Sequence, residues 1–148
     1  MGHGPRHRLA LRLLTKLAAR IDSDRRHFQL QLPIHLSTYD EPEPDAAIIL
    51  GPDRQFADRL PAANDVACVL EVAHSSLERD AADKLAKYAH AGIAQYVIVN
   101  LRDGQVESYE QPMDGKYGRR SIFHRDQTVR LFLGHGEFLE VPAMDMLP

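Results

Sequence analysis

The sequence predicts a single α/β domain in which a central mixed sheet is flanked by helices. Three observations predict it. Apolar runs of strand length occur near 28–36, 46–50, 66–73 and 95–100, and two longer segments near 7–21 and 76–91 carry apolar residues at helical spacing. The third is the length of 148 residues, which suits one domain of the common ~100–200 residues. With 44% hydrophobic and 26% charged residues, the composition is that of an ordinary globular chain. No stretch approaches the ~18 uninterrupted apolar residues of a membrane span. Arg12 and Lys16 interrupt the apolar stretch that could pass for a secretory leader, so the expected location is cytoplasmic. Cys68 is the single cysteine, which excludes an intramolecular disulfide and a cluster of thiolate ligands.

The elements follow in order. From His7 to Ile21, the residues Leu9, Ala10, Leu13, Leu14, Leu17 and Ile21 form an apolar helical stripe, and Arg8, Arg12, Lys16 and Arg20 form a basic one. A basic stripe suits either a solvated outer face or contact with a nucleic-acid backbone. The net charge of −3 is unevenly spread: residues 1–30 hold seven basic residues against two acids, so the remainder carries −8. Phe28 to Leu36 alternates as a half-buried strand, with Pro33 placing it near an edge or a bulge. The prolines of Glu41-Pro42-Glu43-Pro44-Asp45 favour extended backbone and deliver Asp45 to the start of a strand over 46–50. A loop over 51–64 leads to a nearly continuous apolar strand over 66–73. Ser75 and Glu78 have capping-box spacing, predicting a helix from there to Ala91 with Gly92 as its left-handed stop. A third buried strand over 95–100, a turn at Asp103-Gly104 and a return strand over 106–110 complete a core spanning 28–111. Further strands within 116–141, near 119–124 and 128–133, form the tail, with a turn at Gly134-His135-Gly136.

Glu71 interrupts the otherwise apolar strand 66–73. A buried carboxylate is costly unless something pairs with it, so a partner is expected. Asp45 opens another short core strand. If the two strands are neighbours, both carboxylates can converge on a hard cation such as Mg²⁺, which prefers oxygen ligands. Such a site suits phosphodiester hydrolysis, with a lysine steadying the developing charge, and Lys84 on the following helix is the natural candidate. Taken singly, each residue also has a plainer reading: a strand-entry aspartate, an edge glutamate, and an i, i+4 helix pair of Asp80 with Lys84.

The block from Glu71 to Asn100, with Asp80, Lys84, Tyr88, Gly92 and Tyr96 at its spaced positions, resembles the Uma-two family of restriction-endonuclease-like proteins. Pro44-Asp45 stands where that family has its Pro-Asp element. The resemblance runs from about His7 to the C-terminus. It implies a restriction-endonuclease-like core of the PD-(D/E)XK type, with the usual lysine moved from the third strand to the following helix. It further implies Asp45, Glu71 and the Val72 backbone carbonyl as metal ligands, Lys84 as the catalytic cation, and Asp80 as an orienting partner of Lys84. Mg²⁺, with Mn²⁺ as a substitute, is the cofactor expected, DNA the partner, and a homodimer a natural way to cut both strands. Family members carry an acidic Glu-Leu-Ile-Asp-Gly-like segment ahead of the basic helix. Gln95, Val97 and Asn100 stand where they have an acid, an aromatic and an aspartate.

The function expected is therefore metal-dependent endonucleolytic hydrolysis of DNA. Two other classes stay open: a non-catalytic nucleic-acid binder that keeps the fold, relying on Arg8, Arg12, Lys16 and Arg20, and an interaction protein without nucleic acid. The eight histidines lack an HExxH pattern, although His3 and His7 stand four apart. No Gly-x-Ser-x-Gly elbow surrounds Ser75-Ser76, and no glycine-rich phosphate loop occurs.

Overall fold

The computed structural model describes residues 4–74 and 77–148. The chain opens with α1 (Pro5–Thr15) and α2 (Ala18–Ile21), followed by β1 (Arg26–Leu30), β2 (Ala46–Leu50), β3 (Val66–Ala73), α3 (Arg79–His90), β4 (Gln95–Asn100), β5 (Gln105–Met113) and β6 (Lys116–Phe123), and ends with β7 (Thr128–Gly134) and β8 (Glu137–Pro142). Strands β1 to β6 form one six-stranded sheet in chain order, and β7 and β8 form a separate two-stranded sheet. Within the large sheet β3 and β4 run parallel, because α3 carries the chain back between them, while every other neighbouring pair is antiparallel. This is the mixed α/β architecture that the periodicities predict.

Both faces of the sheet are covered, which is why β3 and β4 read as almost unbroken apolar runs. On one face Ile48, Leu70, Val97 and Val99 pack with Leu14, Leu17 and Ile21 of the N-terminal helices and with Val129 and Leu131 of β7. On the other, Ile49, Val69, Tyr96 and Ile98 pack with Tyr88 of α3 and with Ile34. Side chains alternate across a strand, so Glu71 lies on the second face, beneath α3.

Several boundaries differ from expectation. The single helix over 7–21 is two: the amides of Lys16, Leu17 and Arg20 bond three residues back to Leu13, Leu14 and Leu17. Thr15 Oγ1 also donates to the Leu11 carbonyl at 2.9 Å, a back-bond that bends helices. The strand expected over 28–36 stops at Leu30. Gln31 adopts φ 51°, and Pro33 has no amide to give to a ladder. α3 begins at Arg79, with Glu78 at its N-cap making no side-chain cap bond. Ser75 and Ser76, and with them the expected capping box, lie outside the described residues. At the other end the prediction holds: Gly92 has φ 80°, and the amides of Gly92 and Ile93 bond to the Ala89 and Tyr88 carbonyls as a Schellman motif. The 51–64 loop contains two short 3-10 turns, Asp53–Phe56 and Ala63–Asp65. In the tail, β6 is one edge strand of the central sheet, and β8 returns on β7 through the turn at Gly134, His135 and Gly136.

Candidate active site

Asp45 is placed by the short approach to β2. Its carbonyl accepts the Gln31 amide at 3.1 Å, and its Oδ2 accepts the Val72 amide at 2.8 Å. Ala46 pairs with Leu70 across the antiparallel β2–β3 ladder, so Asp45 stands one step further on, opposite Glu71. The two acids named from the sequence are therefore cross-strand neighbours on the face beneath α3.

Lys84 reaches this spot from the helix. Its ammonium lies 3.2 Å from Glu71 Oε2 and 3.5 Å from Asp80 Oδ2. Tyr88, one helical turn beyond Lys84, donates its hydroxyl to Glu71 and packs its ring on Tyr96 at 5.1 Å between centroids. Asp45, Glu71, Lys84 and Asp80 thus come together. A cavity of about 180 Å³ opens onto Glu71, Asp80 and Lys84, with His7, Val72 and His74 also in its wall, while Asp45 stands beside Glu71 on the neighbouring strand.

The electrostatics show too little positive charge. The Glu71 side chain is only 8% exposed. Burial first, and then the Asp45 carboxylate, push its pKa up to about 7, although Lys84 pulls the other way. For Lys84, burial works against the charged form, but Glu71, Asp80 and Asp45 outweigh it and hold the ammonium above the ordinary lysine range. The two shifts describe one imbalance: three carboxylates surround one ammonium, which does not neutralise them. The donor set is all oxygen and suits a hard divalent cation. Among the described residues, no group of three or more His, Cys, Asp or Glu forms a ready-made metal cage. Two carboxylates would leave much of the coordination to backbone oxygen, water and substrate, as Mg²⁺ usually requires.

The basic stripe lies elsewhere. Arg8, Arg12, Lys16 and Arg20 are exposed on the N-terminal helices, and none of them lines the cavity. Arg8 and Arg12 border a neighbouring hollow of about 340 Å³. Arg20 donates to the Glu140 carbonyl at 3.0 Å.

Three features escaped sequence reasoning. Tyr88 and His7 sit on helical stripes whose spacing suits core packing, so periodicity alone does not separate them from apolar neighbours. The third is Glu107 on β5, which is fully buried. It accepts hydrogen bonds from Asn100 at 2.8 Å, Gln105 at 3.0 Å, Tyr109 at 2.7 Å and Arg120 at 3.2 Å. The ladder sets Glu71 beside Ile98 and Ile98 beside Glu107, so the two buried glutamates share one row of the sheet. In an alternating strand Glu107 carries no signal of burial.

A mixed sheet that brings a strand-opening aspartate, a mid-strand glutamate and a helix lysine together has the arrangement of a nuclease-like core. The chain belongs to the Uma2 family, described as "Putative restriction endonuclease", whose model matches residues 1–141. Its fold is similar to that of a crystal structure from Anabaena variabilis described as a "putative nuclease belonging to DUF820". The TM-score is 0.68 at 12% identity, covering 99% of this chain and 82% of that one. No curated protein matches the sequence.

Proposed function

We propose that this protein is a divalent-metal-dependent nuclease that hydrolyses DNA phosphodiester bonds, with Asp45, Glu71 and Lys84 as its active residues. The observation that carries this reading is a pair of cross-strand carboxylates, Asp45 and Glu71, of which Glu71 meets the Lys84 ammonium in the wall of a small cavity. Asp45, Glu71 and the Val72 carbonyl would hold the cation, Mg²⁺ or in its place Mn²⁺. Bound there, such an ion supplies an acidified water and neutralises charge gathering on the phosphate.

The chain's own groups do the rest. The Val72 amide fixes one Asp45 oxygen and leaves the other to ligate. Tyr88 fixes the Glu71 carboxylate from the side of α3. Lys84, kept protonated by its acidic neighbours, faces the anionic phosphate oxygens and favours the more highly charged transition state. Asp80 shares the ammonium and sets its direction. Among the described residues no helix is long and apolar enough to cross a membrane. A homodimer would bring two such sites to the two strands of a duplex.

The test is incubation of the purified protein with single- and double-stranded DNA in Mg²⁺ or Mn²⁺. Cleavage by the parent is expected, and Glu71→Ala or Lys84→Ala should lower the rate by at least about a hundredfold. No cleavage by the parent, or variants that cut as fast as it does, would overturn the assignment. DNA binding without any cleavage would favour a non-catalytic binder on the same fold.

A further inference from the structure

The buried stripe of the N-terminal helices runs through His7, Ala10, Leu14, Leu17 and Ile21, and His7 alone in it is polar. It is 7% exposed, so an imidazole occupies a position where its stripe-mates are aliphatic. Its surroundings account for the difference. His7 lines the 180 Å³ cavity with Glu71 and Lys84, and it also lines the 340 Å³ hollow with Arg8 and Arg12. It is therefore the wall common to the acidic site and the basic stripe. Leu30 and Gln31 also line that hollow, and the Gln31 amide is the one that holds the Asp45 carbonyl. The hollow therefore borders the backbone that sets the first acid.

The sizes and charges of the two spaces suit one kind of ligand. The cavity suits a single phosphoryl group rather than a whole nucleotide, whereas the hollow is larger and has two guanidinium groups at its border. A chain of regularly spaced anions would fill both, one phosphate facing Lys84 and its neighbour passing Arg8 and Arg12. An imidazole between them can donate a hydrogen bond to a phosphate oxygen.

We propose that His7 is a further substrate-binding residue, which donates a hydrogen bond to the phosphodiester backbone where it passes from the Arg8–Arg12 hollow into the Glu71–Lys84 cavity. The inference rests on the nuclease reading and adds to it a path for the strand.

The experiment measures binding of a short labelled DNA duplex to the full chain at low salt, with Ca²⁺ in place of Mg²⁺, alongside cleavage in Mg²⁺. His7→Leu suits the apolar stripe and is expected to keep the thermal midpoint within a few degrees while weakening binding about tenfold. His7→Gln keeps a donor and should stay within about threefold of the parent. Arg12→Gln should instead reduce the salt dependence of binding by about one ion. If His7→Leu binds and cuts like the parent, the His7 inference falls and the nuclease reading stands. A parent that neither binds nor cuts removes both. Should His7→Leu fail to fold, the parent's His7 ring resonances decide: movement on titration with the duplex supports the contact, and no movement overturns it.

Discussion

Glu71 occupies its buried place at a cost. Its native pKa of about 7 lies above the ordinary 4.5, so between those values the folded chain holds a proton that the unfolded chain has released. Stability therefore falls as pH rises through that window, by roughly 3 kcal/mol for a shift of this size. Glu71→Gln removes the penalty and keeps a group that can accept from Lys84 and Tyr88. Its thermal midpoint should exceed the parent's at pH 8, and the gain should vanish near pH 4, where both forms of the parent are protonated. A melting series across pH reads this directly, and an equal gain at both ends would show that burial of charge is not the cause. A carboxylate that costs stability at neutral pH, with two more acids nearby, is a pattern that fits the active site proposed above.

At the scale of elements, α3 matters most because it delivers Lys84 and Tyr88 to Glu71. Its end is set by Gly92, where an added Cβ would meet nothing within 4 Å, yet φ 80° is unfavourable for any other L-residue. Gly92→Ala should therefore cost about 1 kcal/mol through the backbone alone, measurable by denaturant titration, with little effect on cleavage because Lys84 lies two turns earlier. The elements also show where local pattern stops being enough. Strand β3 and the stop at Gly92 were legible because an eight-residue run that is apolar but for Glu71 and a helix-ending glycine have few alternatives. The strand over 28–36 was not, since the alternation continues past Leu30 while the backbone turns at Gln31, leaving Leu32 exposed and burying Ile34 in the core beneath α3. Nor was the break between α1 and α2, which preserves the helical stripe and so leaves the periodicity intact.

For the whole molecule, the excess of negative charge around one lysine would couple binding of the proposed cation to folding. An ion that binds only the assembled site stabilises it by about 2.7 kcal/mol at a hundredfold excess over its dissociation constant. Mg²⁺ or Mn²⁺ should therefore raise the thermal midpoint of the parent by several degrees at pH 8, less at pH 5 where Glu71 is protonated, and not at all in Asp45→Asn. A midpoint indifferent to both cations, or equally raised in Asp45→Asn, would remove the metal from the site. The unequal charge of the chain acquires a spatial meaning at this scale: Arg8 and Arg12 border the hollow next to the acidic cavity, with His7 between them.

By itself the sequence determined the class of fold, most strand positions, and Asp45, Glu71, Asp80 and Lys84 as the candidate site. The fold and the first two acids follow from short-range causes, namely apolar period, turn chemistry and the cost of a charge inside an apolar strand, whereas the role of Asp80 came from the family resemblance. Only the tertiary structure decided that Asp45 faces Glu71 across a ladder and that Tyr88 braces it. The same is true of the buried row shared by Glu71 and Glu107, and of the place of His7 between cavity and basic hollow. Register and helix approach depend on residues far apart in the chain, and a polar side chain on a packed stripe looks like any other core position until the surface opposite it is known.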